Sequence, residues 1–188
     1  MLASTLGALL VVGLIWHLLT SVFGVISAAR FPLPKEVGTA FMQIATEGYA
    51  NGRLIEHVLR SVLLVTMGFI VASSLGVVLG LAMGASRTAE ALVNPVFLVL
   101  RPIPPLAWIP LAIVWLGLGD AAKMMVIFFA AFVPSVINSY AGVRQIEKPI
   151  FEAAAMLNIR GWRYCRELLI PGALPSIFTG LRLSLQAS

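Results

Sequence analysis

Long apolar segments alternate with short polar ones along the 188 residues of this chain. A helix needs about 20 apolar residues to cross the hydrocarbon core of a bilayer. The pattern predicts an all-α, polytopic transmembrane helical bundle that forms a single domain, 1–188. The predicted spans occupy 3–29, 61–86, 91–118 (broken at 102–105) and 121–143, and a fifth begins at 173.

The composition supports a membrane protein and excludes several other classes. Hydrophobic residues make up 60% of the chain and charged residues 11%, whereas a soluble domain carries about a quarter charged residues. The formal net charge of +5 does not indicate a nucleic-acid partner, because Lys and Arg at helix ends anchor the spans in the bilayer. The single Cys165 has no disulfide partner within the chain, and His17 and His57 are too isolated to form a metal site.

The first apolar segment is interpreted as a retained span rather than a cleaved signal peptide. Ser27, Ala28 and Ala29 resemble a cleavage site, but no Lys or Arg precedes the segment, which exceeds the roughly 7–15 residues of a signal core. Apolar residues then recur at helical spacing over 35–47, which predicts an amphipathic helix on the membrane surface. A turn is expected at 48–52, between two glycines.

Glycines recur at intervals of four in the second span. Gly76, Gly80 and Gly84 lie on one face of the predicted helix and present no side chain to a neighbour. We therefore expect this face to pack closely against another helix of the bundle.

Three prolines interrupt the third span. Pro102, Pro104 and Pro105 remove backbone donors and break the helix, yet apolar sequence resumes at once. Irregular backbone at membrane depth is tolerated only where protein or a water-filled cavity receives it. The break, with Arg101 beside it and Trp108 on the following helix, is a candidate wall of a translocation path. The alternative is a kink at the interface, from which Arg101 snorkels to water.

A polar stretch at 149–171 follows the fourth span and predicts two short helices around a bend. Glu152 and the three alanines at 153–155 form the first helix, whose small side chains allow another surface to approach the backbone. Asn158 tolerates the left-handed conformation that ends a helix.

The second of these helices carries Arg163 and Glu167 four residues apart, which predicts an ion pair, and Pro171 is expected to close it. A loop that merely joins two spans at the interface is the alternative interpretation of the whole stretch.

The spacing of this stretch resembles the EAA signature of the membrane subunits of bacterial ABC importers. That pattern is Glu-Ala-Ala, three residues, Gly, nine residues, and then aliphatic-any-aliphatic-Pro. All of its intervals occur here between Glu152 and Pro171.

Two features depart from the signature. Asn158 replaces its Gly, and Ile159 and Arg160 stand where small or capping residues are usual. We therefore expect weaker ordering at the bend, with Gly161 taking up part of the turn. The segment 101–119 also resembles the taurine, aliphatic sulfonate and nitrate branch of the same family.

The resemblance implies an ABC importer permease with a MetI-like core. The stretch 149–171 would face the cytoplasm as coupling helices that dock on a separate ATPase. The residues implied to make this contact are Glu152, Ala153, Ala154, Ala155, Asn158, Ile159, Gly161 and Trp162. The residues assigned to the translocation path are Arg101, Pro102, Pro104, Pro105 and Trp108. Family members continue beyond the equivalent of Ser188, so the chain is expected to be incomplete at its C-terminus and not to transport at this length.

The same resemblance implies partners and a location. A permease of this type is a multi-pass protein of the bacterial cytoplasmic (inner) membrane and pairs with a second permease copy. It receives solute from a periplasmic or extracellular binding protein and binds cytoplasmic ABC ATPase subunits. No cofactor is expected on this chain, because ATP binds to the partner ATPase. The expected solute is an organic sulfonate or nitrate-like anion, and a vitamin precursor is the alternative.

The sequence contains no catalytic constellation. It has no Gly-x-x-x-x-Gly-Lys-Ser/Thr phosphate loop, so the chain cannot hydrolyse ATP alone, and a transport subunit rather than an enzyme is expected. A secondary transporter without ATPase is the competing class, but it usually needs intramembrane acids, which the predicted spans lack. Nearly equal numbers of cations on the two sides do not decide the orientation. The resemblance does, placing 30–60 outside and Arg87 inside.

Overall fold

The computed structural model describes residues 2–23, 31–50 and 52–188, whose regular structure is helical. Among these residues, four helices are long and apolar enough to cross a membrane. A fifth such element results if the bent pair Arg87–Leu100 and Pro105–Leu116 counts as one span. The predicted all-α fold with several membrane spans is confirmed.

The chain forms two compact units, the first of which ends at Arg60. The segment 27–29 and Asn51, on which parts of the first span and of the turn were predicted, lie outside the described residues. The helices of this unit are α1 (Leu2–His17), which continues as a π-helical turn (Leu18–Val22), and α2 (Pro34–Thr46), at the position of the predicted amphipathic helix.

The second compact unit covers Ser61–Ser188. Its helices are α3 (Leu54–Ala85, which starts before the boundary), α4 (Arg87–Leu100), α5 (Ile109–Leu116, after a 3-10 turn at Pro105–Trp108), α6 (Asp120–Arg144), α7 (Lys148–Met156), α8 (Trp162–Tyr164, followed by a π-helical turn at Cys165–Leu169) and α9 (Ile170–Ala187). Helices α9, α3 and α4 pack against α6, and the buried residues of the unit cluster along it.

The glycine face of α3 lies directly against α6. A Cβ atom built on Gly76 would lie 2.7 Å from the Cβ of Ser135, and one built on Gly80 would lie 2.5 Å from the backbone oxygen of Val136. Both distances are far below van der Waals contact, so a larger residue at either position would force the helices apart. Gly84 also faces α6. The close packing predicted for this face is confirmed.

Helix α9 packs on the neighbouring face of α6 through small and hydroxyl-bearing residues. Ser184 Oγ donates a hydrogen bond to the Ala131 carbonyl oxygen at 2.7 Å. Because this bond uses its only proton, the Ser135 hydroxyl is the donor in the 2.8 Å bond between the two serines. A Cβ on Gly180 would lie 2.7 Å from that of Asn138. The buried hydroxyl groups thus fix the register of two closely packed helices.

The helix after the bend differs from the prediction. A short helix is predicted to close at Pro171 and a new span to open at 173, but one helical run extends over Trp162–Ala187. The Ile170 N–H bonds the Cys165 carbonyl oxygen in a widened π-helical turn just before the proline. The widening accommodates the proline ring, which in a regular α-helix clashes with the carbonyl four residues earlier.

Replacing Gly80 by Ala is expected to destabilise the protein by about 1–3 kcal/mol, because the added methyl group collides with the Val136 backbone. The measurement is the apparent melting temperature of the purified protein in detergent. Gly13→Ala is the matched control, since Gly13 also lies in an apolar helix but has no atom within 4 Å of an added Cβ. Equal melting temperatures for the two variants would contradict the assigned packing.

Candidate functional site

The predicted coupling helices form a helix–bend–helix element, residues 148–169, that starts directly after α6. Only residues 145–147 separate α6 from α7, and Pro149 occupies the first turn of α7, where its missing N–H has no partner to lose. Within this connection Ile146 packs over Gly172, on which a Cβ would lie 2.7 Å from the Ile146 Cδ1. The short, packed connection holds α7 in a fixed position relative to α6 and α9.

Ala154 holds α7 against the bundle and is only 4% exposed. It packs in a buried cluster with Val143 of α6 and Leu169 of the π-helical turn. Glu152 and the alanines on either side of Ala154 are exposed. The sequence-based interpretation treats 153–155 as one contact surface, but the structure divides it. Ala154 belongs to the internal packing, and only its neighbours are available to a partner.

A Schellman motif ends α7. Asn158 adopts a φ of 52°, and its N–H bonds the Ala155 carbonyl oxygen at 3.1 Å. The Ile159 N–H reaches back to the Ala154 carbonyl oxygen at 3.0 Å. Gly161 follows with a φ of 60°, so it takes up part of the turn as predicted. Two backbone hydrogen bonds therefore define the bend where a serine cap is absent.

Exposed apolar side chains flank this bend. Met156 is 89% exposed, Leu157 74% and Trp162 73%. Trp162 is among the predicted contact residues, whereas Met156 and Leu157 are not. The sequence feature that could have identified these two residues is a pair of large apolar side chains between a run of alanines and a turn, outside the predicted spans. Ile159, also a predicted contact, is partly buried against the Ala154 cluster instead.

The second arm of the element is tied to the first. The Phe151 ring of α7 lies 6.3 Å from the Tyr164 ring, measured between centroids. The predicted ion pair between Arg163 and Glu167 is present, with the Nε of the arginine 3.0 Å from a carboxylate oxygen. Both arms therefore carry contacts of their own, which keep the exposed apolar residues on a defined surface.

The predicted break in the third span is a bend of 83° between α4 and the helical segment that follows. Arg101 caps α4, and its N–H still bonds the Phe97 carbonyl oxygen at 2.8 Å. The chain is extended at Pro104, because the prolines cannot donate to a continuing helix. Arg101, Pro102 and Pro104 are exposed. Among the described residues, no carboxylate lies within ion-pair distance of Arg101.

Trp108 follows the bend and connects it to α6. Its ring stacks on Phe129 with centroids 4.2 Å apart and planes at 7°. Phe129 lies about 22 Å along α6 from Arg144, and Arg101 lies about 16 Å along α4 from Glu90. Arg144 and Glu90 form an ion pair, so both distances are measured from the same level of the bundle. Since a bilayer core is about 30 Å thick, a break at mid-depth requires that the Glu90–Arg144 level lies at a membrane surface.

An apolar cavity of about 470 Å³ lies between α3, α5 and the start of α6. Ser61 and Lys123 contribute its polar groups, and apolar residues such as Leu64 and Ile127 form most of its wall. None of the path residues at 101–108 lines it. The structure thus places those residues outside this cavity.

Comparison with known proteins gives consistent matches. Residues 72–188 match the family model described as binding-protein-dependent transport system inner membrane component. The matched region contains both the 83° bend and the whole helix–bend–helix element.

Individual relatives cover most of this chain. It is 31% identical to the taurine transport system permease protein of Escherichia coli over 182 residues, which are 96% of this chain and 66% of that protein. It is 33% identical to the bicarbonate transport system permease protein of Synechococcus elongatus, over 100% of this chain and 67% of that protein. A protein of Methanocaldococcus jannaschii, provisionally named as an ABC transporter permease, is 41% identical over 71% of this chain and 50% of its own length. The chain spans about half to two thirds of the length of these relatives.

Replacing Asn158 by Val is expected to destabilise the bend by about 1–2 kcal/mol, because a β-branched residue is strained at a positive φ. Asn158→Gly is the control and is expected to leave the bend intact. The measurement is the rate of tryptic cleavage after Arg160 and Arg163 in the folded protein. Cleavage of the valine variant no faster than of the glycine variant would show that the bend does not depend on this conformation.

Proposed function

This chain belongs to the family of binding-protein-dependent transport system inner membrane components, and we propose that it is the membrane-spanning permease subunit of an ATP-driven ABC importer. Family membership confirms a transport component rather than an enzyme, and a multi-pass protein of the inner membrane. The likeness to the taurine permease confirms the predicted branch.

One observation carries the proposal: a fixed element with an exposed apolar tip projects from the end of a membrane helix. Ala154 and Val143 fix α7 to α6, and Met156, Leu157 and Trp162 flank the bend. Because these three lie in the polar stretch outside the predicted spans, we infer that a protein surface covers them. Exposed apolar residues clustered in this way mark interaction sites. A cytoplasmic ATPase subunit is the partner that the family context supports.

The complete assembly follows from the same proposal. Two permease copies would form the transmembrane unit, and each would present its helix–bend–helix element to one ATPase subunit. A separate binding protein would deliver the solute from outside. ATP would bind and react on the ATPase subunits, so this chain would need no cofactor of its own. Closing and opening of the ATPase pair would then move α7 as a rigid body and switch the access of the permease.

We infer that the solute is a small anion. Relatives are named for the transport of taurine and of bicarbonate, which both carry an anionic group. A sulfonate remains our first choice, and bicarbonate extends the class to other small oxyanions. Arg101 fits this class, because it is an exposed cation beside the bend that interrupts the third span. A single cation without an ion-pair partner would attract an anion without binding it tightly.

A secondary transporter coupled to protons or cations is less compatible with the positions of the acids. In the second unit, Glu90 and Asp120 lie in the first turns of α4 and α6, and Glu147 caps α7. Glu152 and Glu167 lie in the helix–bend–helix element. Among the described residues from 61 onward, no carboxylate therefore lies in the middle of a span, where ion coupling usually requires one.

Replacing Leu157 by Asp is expected to weaken binding of the ATPase subunit at least tenfold, because a charge would enter an apolar contact; this corresponds to about 1.4 kcal/mol or more. Met156→Asp is expected to act in the same way. The measurement is the affinity of the purified full-length permease for its ATPase subunit in nanodiscs.

The control for this prediction is Thr88→Asp, which adds the same charge at an exposed position in the first turn of α4, two residues from the Glu90 that contacts the end of α6. Wild-type affinity in both Leu157→Asp and Met156→Asp would place the docking surface elsewhere. Ala154→Arg is not diagnostic, because a bulky charge there disrupts the internal packing of α7 before any partner is involved.

Replacing Arg101 by Gln is expected to lower uptake of an anionic solute about tenfold at low solute concentration, because it removes the attracting charge and keeps a polar side chain. ATPase binding is expected to stay unchanged. Uptake into proteoliposomes by the full-length permease with its ATPase and binding protein, at matched permease content, is the measurement, and Lys123→Gln provides a control that also removes one exposed cation. Wild-type uptake in the Arg101→Gln variant would show that Arg101 serves only as an anchor at the membrane surface.

A further inference from the structure

A three-residue polar cluster joins the start of α4 to the end of α6. The hydroxyl of Tyr140 donates a hydrogen bond to one carboxylate oxygen of Glu90, and the guanidinium of Arg144 donates to the other. The guanidinium also lies over the Tyr140 ring, 5.4 Å from its centroid. Both oxygens of one carboxylate are thus bound by residues of a single neighbouring helix. Such charge-assisted bonds are directional and fix the relative orientation of the two helices.

The cluster lies next to the start of the helix–bend–helix element. Arg144 is the last residue of α6, and α7 begins at Lys148. The preceding residue, Val143, packs in the cluster that holds Ala154 of α7. Neighbouring residues on a helix point about 100° apart. In the final turn of α6, Val143 therefore contacts α7 and Arg144 binds Glu90 of α4.

The other end of α4 leads into the bend at 101–105. Between the two ends, Val93 and Phe97 pack against Met83 of α3 and Val136 of α6. These contacts are apolar, so they orient α4 less specifically than hydrogen bonds to charged groups do. Among the described residues, the polar cluster supplies hydrogen bonds and an ion pair between α4 and α6.

We propose that Glu90 is a positioning residue that couples the helix–bend–helix element to the transmembrane bend. It fixes α4 to the turn of α6 that carries α7, so a displacement of α7 by a partner also displaces α4 and the backbone around Arg101. This inference rests on the proposed function, because it assigns the route by which ATPase movement reaches the translocation path.

A purely structural role gives a different expectation. The Glu90 and Asp120 side chains are 24% and 31% exposed, and both form ion pairs. Partly exposed ion pairs contribute little to overall stability. The Asp120 pair with Lys123 stays within one helix, whereas the Glu90 pair links two. If the pairs act only on stability, neutralising either carboxylate would have the same small effect.

The first arm of the test needs no partner protein. Spin labels on cysteines at 88 and 148, in a Cys165→Ser background, report the separation of the α4 start from the α7 start by pulsed electron resonance. Labelled protein is diluted with unlabelled protein so that only distances within one chain contribute. We expect Glu90→Gln to broaden the distance distribution and Asp120→Asn to leave it unchanged. An unchanged distribution in Glu90→Gln would overturn the proposal.

The second arm measures coupling in the complete transporter, with its ATPase and binding protein in proteoliposomes. We expect Glu90→Gln to lower the number of solute molecules moved per ATP hydrolysed about fivefold, at unchanged ATPase binding. The exchanged pair Glu90→Arg with Arg144→Glu is expected to recover most of this ratio. A wild-type ratio in Glu90→Gln, or equal losses in Glu90→Gln and Asp120→Asn, would overturn the proposal.

The two arms separate this inference from the proposed function. If the wild-type protein transports solute but the Glu90 variant keeps its coupling ratio, the importer assignment stands and the positioning role falls. If the wild-type protein neither binds an ATPase nor responds to ATP, the importer assignment fails, and the positioning role falls with it even where the distance distribution has broadened.

Discussion

The close approach of α6 to α3 and α9 is the constraint on which the second unit depends. In a bilayer, lipid chains are as apolar as the helix surfaces, so burial from water does not hold transmembrane helices together. Van der Waals contact and hydrogen bonds have to do so, and both require small residues where backbones meet. Gly76 and Gly80 provide this on α3, and Gly180 with Ser184 provides it on α9. A larger residue at any of these contact positions would separate helices that are distant in the sequence.

Both candidate functional elements are attached to α6, so its packing also sets their positions. At one end, Val143 and the buried Ala154 hold α7. Near the middle, Phe129 stacks on Trp108 and holds the bent segment. Exposed apolar residues are interpreted differently in the spans and in the helix–bend–helix element. Those of the spans are expected to face lipid. No lipid chain is expected to cover Leu157, which lies outside them, and this difference supports the proposal that it contacts another protein.

Local sequence was sufficient for the number of membrane-crossing elements, the break in the third span and the turn that ends α7. Hydropathy is a property of each segment alone, so it locates the helices without reference to their neighbours. The prolines at 102–105 act on their own backbone, and Asn158 adopts its left-handed conformation within a few residues of chain. The family was also accessible, because the signature between Glu152 and Pro171 is a matter of spacing.

Only the tertiary structure decided which of these residues face inward and which meet. Ala154 is indistinguishable from its neighbours in the sequence, and its burial depends on where α6 and the π-helical turn lie. The helix continues through Pro171 because a widened turn precedes it, which proline content alone does not show. Glu90 and Arg144 are 54 residues apart, and their contact arises from the packing of α4 on α6. Local patterns determine the elements and turns of this protein, whereas side-chain partners depend on helix packing that no single segment encodes.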